Sequence, residues 1–442
     1  MLRLIALVLR RYLVLSKRIH MTSSARRQTP TRFGGMMIIA GTAIGAGMLA
    51  NPTATSGVWF LGSVVILLYV WLCMYLSGLM LLEATLHFPQ GASFHTVVKG
   101  LLGPVWSLIT GVAVTFVLYS LTYAYIFVGG GLTQNSLINI SGWLSAEPIQ
   151  VSRAFSSAVF LLVLATSVWV STKVVDRFST LLIGGMLVSF FLSTGSLLQS
   201  VTPAVLFDLN ATGEQGYWHY AWAALPVCLA SFGFHGNVPS LVSYYNKQAQ
   251  PVARSILWGS LLALGMYLLW QLAVQGNLPR TEFAPVISAD GDVAALLAAL
   301  NNYVHTDTVA RFLNAFAFMA IASSFLGVTL GLFDYLRDLF GFADTAAGRL
   351  KTAAVTFLPP LLACLLFPTG FVKVMGYVGL MAAIWAALIP ALLVHASRKR
   401  FAYAQYQVFG GVWLIAFVVA FAVIVFCVQI LLLMGWMPLF RG

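Results

Sequence analysis

The sequence predicts an all-α polytopic membrane protein of about eleven transmembrane helices, and three observations carry that expectation. Of its 442 residues 60% are apolar and 8% are charged. Soluble domains carry about 25% charged residues, so this chain cannot coat a water-facing surface of ordinary size. Its apolar residues gather in runs of about 20, the length that crosses a bilayer as a helix, with short polar gaps between. Lys and Arg cluster in alternate gaps, as a chain threading a membrane would place them. A soluble enzyme, a disordered chain and a secreted disulfide scaffold are excluded.

Residues 1–32 form a basic cytoplasmic segment. Arg3, Arg10, Arg11, Lys17, Arg18, Arg26, Arg27 and Arg32 precede the first apolar run. Arg10, Arg11 and Lys17 break any signal-peptide core. Two accounts of this start stand: a basic interfacial helix, or an over-extended reading frame with Met21 as the true start, which is the expectation.

The apolar runs centre near Thr42, Trp71, Thr115, Leu161, Phe190, Ser231, Leu264, Ser323, Phe357, Ala383 and Phe421. The ninth is the weakest, because Pro359 and Pro360 interrupt it. Inside a bundle, neighbouring helices can satisfy the carbonyls that proline frees. With the N-terminus inside, nineteen Lys and Arg fall inside and five fall outside: Arg153, Arg280, Arg311, Lys373 and Arg441. Glu147, Asp208, Glu214, Glu282, Asp290, Asp292 and Asp307 fall outside. An odd number of spans then puts the C-terminus outside. Cys73, Cys228, Cys364 and Cys427 lie in separate apolar runs without metal-ligand spacing, so they are expected as buried apolar side chains.

The first span has glycines at 41, 45 and 47, followed by Asn51-Pro52. Each mid-helix glycine lowers helix stability by about 1 kcal/mol relative to alanine. A second interruption, Ser231-Phe232-Gly233-Phe234-His235-Gly236-Asn237-Val238-Pro239, falls in the sixth span. Close packing through small residues accounts for one such stretch. Two at matching positions, five spans apart, point instead to the midplane site of an inverted-repeat transporter. Unwinding a helix in lipid frees N–H and C=O groups that must find partners. A zwitterionic amino acid offers both, its carboxylate to a half-helix N-terminus and its ammonium to free carbonyls.

Four stretches carry a family resemblance: residues 41–48 (GTAIGAGM), 118–126 (LYSLTYAYI), 225–240 (LPVCLASFGFHGNVPS) and 322–336 (ASSFLGVTLGLFDYL). On these the chain resembles the aromatic and hydroxy amino acid permeases, a branch of the amino acid–polyamine–organocation superfamily, from Phe33 to Pro438. Within that family it is most similar to the tryptophan permeases, through His235-Gly236-Asn237 and Trp169-Val170-Ser171-Thr172-Lys173. The resemblance implies a leucine-transporter-like fold with helices 1 and 6 broken. It divides the chain into a first five-helix repeat (33–205), a second (206–400) and an additional C-terminal helix (401–442). It also implies proton symport of tryptophan across a bacterial inner membrane, with no cofactor, metal or nucleic acid and no enzymatic activity. One position departs from the family: its lysine in the fifth span is replaced in Gly184-Gly185-Met186-Leu187-Val188, and Met186 cannot titrate.

The backbone of Thr42, Ala43, Ile44, Gly45, Ala46 and Gly47 is the expected carboxylate site, with Ser231, Phe232, Gly233 and Phe234 supplying carbonyls for the ammonium. Phe116, Tyr119, Tyr123 and Phe127 share one helix face. Such a face more often meets lipid or packs than meets a ligand; Tyr119 and Tyr123 are the better candidates for a ring-binding pocket, since a hydroxyl at membrane depth needs a partner. Phe232, Phe234 and Trp385 are weaker ones. His235, deep in a span, has two open roles: proton carrier or substrate contact, or hydrogen-bond donor to a freed carbonyl. Glu83 is the one acid well inside an apolar run. Its functional role as proton site stands beside a capping role at the inner end of the second span. Asp334, Arg337 and Asp338 have the spacing of a structural ion pair. Hydroxyls of Ser323 and Ser324 form a candidate cation site for a rival, sodium-coupled or broader-specificity carrier. An integral membrane enzyme and a passive channel are weaker alternatives. The loop from Gly276 to Thr308 holds no catalytic cluster, and the scattered polar residues suit an occluded site better than a pore.

Overall fold

Long helices joined by short loops build the chain, with no strand among the described residues. A computed structural model describes residues 32–144, 150–209, 216–303, 307–367 and 371–442. Segment 1–31 with Met21, and the acidic positions Glu147 and Glu214, lie outside the described residues.

The first span is a pair, α1 (Arg32–Ala43) and α2 (Ala46–Ala54), and the second is α3 (Trp59–Leu86). After a short α4 (Phe94–Leu102) come α5 (Pro104–Leu144), α6 (Arg153–Val170) and α7 (Thr172–Gln199) as spans three to five. The sixth is again a pair, α8 (Ala221–Ser231) and α9 (Val238–Tyr244), and α10 (Ala249–Gln275) is the seventh. A loop helix α11 (Val293–Asn301) precedes α12 (Asp307–Phe340) and α13 (Ala346–Leu366), the eighth and ninth. The tenth runs from α14 (Phe371–Ala382) through a π turn (Ala383–Leu388) into α15 (Ile389–Arg400), and α16 (Gly411–Leu433) is the eleventh. Among the described residues ten helical stretches are long and apolar enough to cross a membrane, the sixth and tenth spans each counted through their interruptions, and the bent pair α1–α2 makes an eleventh. Their order and number are those of the hydropathy pattern.

The loops sort into two ends. Gln90 donates to Ser243 O at 3.0 Å and Arg349 to Val168 O at 2.9 Å, while Arg400 reaches Gly100 O at 2.5 Å. These contacts gather the loops rich in Lys and Arg at a basic end. At the opposite, acidic end Arg153 pairs with Asp292 at 2.8 Å, and Arg280 donates to Ser56 O at 3.2 Å. The expected local pair also forms at the basic end, with Arg337 3.4 Å from Asp334 and 3.6 Å from Asp338.

The weak ninth span is a continuous helix through Pro359 and Pro360. A proline lacks the N–H that would serve the carbonyl four residues back. For Pro359 that carbonyl belongs to Val355, and the Tyr119 hydroxyl of α5 donates to it at 2.9 Å. The same solution recurs at Pro390, whose ring bares Ala386 O within the π turn: Ser77 of α3 donates to it. Cys73, Cys228 and Cys364 are buried, but Cys427 is exposed on α16, which corrects the expectation for that residue. As the last span, α16 packs on the bundle along one side only, and Cys427 falls on its other side.

Candidate functional site

Two helix breaks face each other in the bundle. At the first, α1 ends at Ala43 and α2 starts at Ala46, their axes bent by 50°. Gly45 is extended between them. The Ala46 N–H, freed at the start of α2, is accepted by Ser324 Oγ of α12 at 3.1 Å. At the second break α8 ends at Ser231 and α9 resumes at Val238, with a 3-10 turn over His235–Asn237 between. The Phe234 N–H turns back to Phe232 O at 2.9 Å. Glycine at 47 is what lets the breaks approach: a Cβ there would stand 3.0 Å from Ser231 Cα.

Hydroxyls join the two breaks. Ser231 Oγ has one hydrogen and three acceptors in reach: Asn51 Oδ1 at 2.9 Å, Gly47 O at 3.0 Å and Val227 O at 3.2 Å. Tyr267 of α10, fully buried, places its hydroxyl 2.6 Å from Ala43 O and 2.5 Å from Ser231 O. Those are the last carbonyls of α1 and α8, so two half-helix C-termini converge on one oxygen. On the other side of the break, Asn237 Nδ2 donates to Thr42 Oγ1 at 2.5 Å. Asn51, Asn237 and Tyr267 were not selected from the sequence. A signal common to all three was a polar side chain at membrane depth, which needs a partner.

Phe232 and Phe234 are fully buried behind the second break, Phe232 against the Tyr267 ring (centroids 4.9 Å apart) and Phe234 stacked on His235 (4.6 Å). His235 is itself fully buried and edge-on to Trp385 at 6.1 Å. Neither of its ring nitrogens makes a hydrogen bond of good geometry, the Met74 backbone being the polar group it faces. Ser323 Oγ bonds its own helix at Ala320 O (3.2 Å), and Ser324 is hydrogen-bonded to Tyr125 as well as to Ala46. Met186 is buried in α7.

The structure thus brings together Thr42–Gly47, Ser231–His235 and Ser324. It gives other partners to the remaining candidates. Tyr119 and Tyr123 spend their hydroxyls on Val355 O and on Phe367 O (2.6 Å), at and just past α13. Glu83, with no exposed surface, is held by Arg398 at 2.7 and 2.8 Å and by the Val408 N–H at 2.7 Å. None of those partners belongs to a break. Beside this pair His87 stacks on Phe401 at 4.4 Å. Burial holds its pKa below the ordinary histidine value, against the pull of Glu83 and with help from Lys247. Two clefts of about 380 and 320 Å³ open at the basic end, one at Phe33, Arg254 and Trp258, the other at His87, Arg398 and Tyr403. Neither is lined by a residue of the breaks.

Residues 28–429 match the model of the tryptophan/tyrosine permease family. The chain belongs to that family. Among relatives of this permease is a tryptophan-specific transport protein of Haemophilus influenzae, 58% identical over 417 residues, 94% of this chain and 100% of that one. A tryptophan-specific transport protein of Pseudomonas aeruginosa is 46% identical over 423 residues, covering 95% of this chain and all of its own. A low affinity tryptophan permease of Escherichia coli is 42% identical over 406 residues, covering 92% and 96%. All three bear the names of transport proteins, and the family match takes in both breaks.

Proposed function

We propose that this permease imports aromatic amino acids, tryptophan first among them, by proton symport across the bacterial inner membrane. The observation that carries the reading is the pair of facing breaks, joined by buried hydroxyls, in a chain of this family. The start of α2 supplies the carboxylate site: its dipole is positive there, and the neighbouring Gly45 N–H makes no backbone bond. The C-terminal end of α8, with Ser231, Phe232 and Gly233, supplies the negative pole for the ammonium. Relatives named for tryptophan support the substrate.

The basic end is the cytoplasmic one, by the rule that Lys and Arg stay inside, so the N-terminus is cytoplasmic and the C-terminus periplasmic. Thr42 and Gly236 are exposed on the basic side of the breaks, while Met48 to Thr53 are buried on the other. That pattern fits a carrier open to the cytoplasm. Spans one to five (33–205) and six to ten (206–400) are read as two repeats, because each begins with a broken helix, and 401–442 is added to them. For the coupling proton His235 is the stronger of two groups: it lies beside the break without a committed partner, whereas Glu83 already balances Arg398. Ser323 and Ser324 offer sodium hydroxyls that are already engaged.

The test is uptake of labelled tryptophan into proteoliposomes under separately imposed proton and sodium gradients, in wild type and His235→Gln. A proton gradient should drive accumulation in wild type and fail to do so in the variant. Sodium-driven accumulation at fixed pH would establish the rival, and an unaltered variant would remove His235 from the coupling.

A further inference from the structure

Tyr267 answers a problem posed by the two helix ends that meet at the breaks. The last carbonyls of α1 and α8 point their negative helix ends into the bundle, where a bare carbonyl is costly. Both lie within 2.6 Å of the Tyr267 oxygen, on residues each 3% exposed. The hydroxyl carries one hydrogen, so it serves one carbonyl fully or both partly. Its ring is wedged against Phe232, which fixes the oxygen between the two. Among the described residues nothing charged is hydrogen-bonded to either carbonyl.

We infer that the Tyr267 hydroxyl is a placeholder, filling in the empty carrier the position between Ala43 O and Ser231 O that the substrate's ammonium shares in the loaded one. The inference rests on the transport reading above and deepens it. A loaded carrier has three ammonium hydrogens to satisfy the carbonyls, whether or not the hydroxyl is present. In the empty carrier the side chain that reaches both carbonyls is Tyr267. Removing the hydroxyl therefore impairs the step in which the empty protein reorients, and spares the step in which the loaded protein does. Tyr267 is a positioning residue in this account, and the two steps can be read separately. Net uptake requires the empty carrier to return; exchange of labelled for unlabelled tryptophan does not.

The experiment compares Tyr267→Phe, Tyr267→His and wild type in proteoliposomes, each normalised to inserted protein. Net uptake is driven by an imposed proton gradient, and exchange is measured with tryptophan on both sides. For Tyr267→Phe, net uptake should fall about tenfold or more, the scale of one unpaired buried carbonyl, while exchange stays within about twofold of wild type. Tyr267→His keeps one N–H donor near the same place, and its ratio of net uptake to exchange should lie between the other two. If Tyr267→Phe does not insert, the ratio for Tyr267→His against wild type decides the matter alone. A parallel fall of net uptake and exchange overturns the placeholder and leaves a structural tyrosine. An unchanged ratio in both variants overturns it as well. Absence of both activities in wild type would instead fail the tryptophan reading, and no variant would then be needed.

Discussion

Replacing Gly47 by alanine should separate the two breaks. The added Cβ would stand 3.0 Å from Ser231 Cα and 3.3 Å from Ser231 Oγ, tighter than ordinary van der Waals contact. The first of these is backbone at the end of α8, so it cannot rotate away. Relief requires a shift of a few tenths of an ångström, which lengthens the Ser231 Oγ–Gly47 O bond of 3.0 Å and disturbs the Tyr267 bridge. Overpacking of this kind costs about 1–3 kcal/mol. If that energy falls on the binding-competent arrangement, tryptophan uptake drops by about 5- to 150-fold, since 1.4 kcal/mol is a factor of ten. Gly41 and Gly236 supply the controls, because a Cβ at either meets nothing within 4 Å. Alanine at 41 should leave uptake near wild type, and at a helical position it even favours the helix. The assay is initial-rate uptake of labelled tryptophan in cells, divided by the amount of protein in the membrane. Equal uptake by Gly47→Ala and Gly41→Ala would refute the claim that the closeness of the breaks is what the glycines provide.

Three other outcomes follow from the same contacts. Tyr119→Phe leaves Val355 O bare and should destabilise the purified protein by about 1–3 kcal/mol; Pro359→Ala restores an N–H at that carbonyl, so the double variant should melt above Tyr119→Phe alone. The ranking of tryptophan, tyrosine and phenylalanine as competitors should be little changed by Tyr119→Phe, and a reordered ranking would place that hydroxyl in the pocket. Glu83→Gln strands the Arg398 guanidinium and should cost about 3–5 kcal/mol in stability, with proton-driven uptake per folded molecule retained; replacing Glu83 and Arg398 together by apolar residues should recover most of the melting temperature. Lost coupling at unchanged melting temperature would return Glu83 to the list of proton carriers.

The spans were legible because bilayer crossing imposes a length and a polarity that single residues cannot override. Both breaks were legible for the same reason: glycine, asparagine and proline in mid-span contradict a helix. What the sequence did not show is which polar side chain answers which freed group. Tyr119 looked like one member of an aromatic face, yet its partner Val355 O is bared by Pro359, 240 positions away in the chain. Glu83 and Arg398 lie in different apolar runs, and nothing local pairs them. Tyr267 stood in an unremarked run, although a stripe was present in it: Tyr267, Gln271 and Gln275 recur at intervals of four and so share one face of α10.

That stripe also indicates which half of the first span is free to move. Gln271 donates to Thr55 Oγ1 at 2.7 Å, Gln275 reaches Pro52 O at 3.4 Å, and Thr55 returns to Asn51 O at 2.7 Å, all fully buried. Swinging α2 away from α10 would strand several of these groups at once in a low-dielectric interior, each at a cost of about 1–3 kcal/mol. On the other side of Gly45, α1 meets α10 through close packing, with Gly259 seated against Ile39 and the Met36 carbonyl, and through the Tyr267 hydroxyl on Ala43 O, two residues from the pivot. Its side-chain hydrogen bond to the second break is that of Asn237 to Thr42, on a side already exposed, where water can replace it. The cheaper motion is therefore a hinge at Gly45 that carries α1 and leaves α2 in place. Such a hinge opens and closes the path at the basic end, while the Tyr267 hydroxyl stays fixed at the pivot.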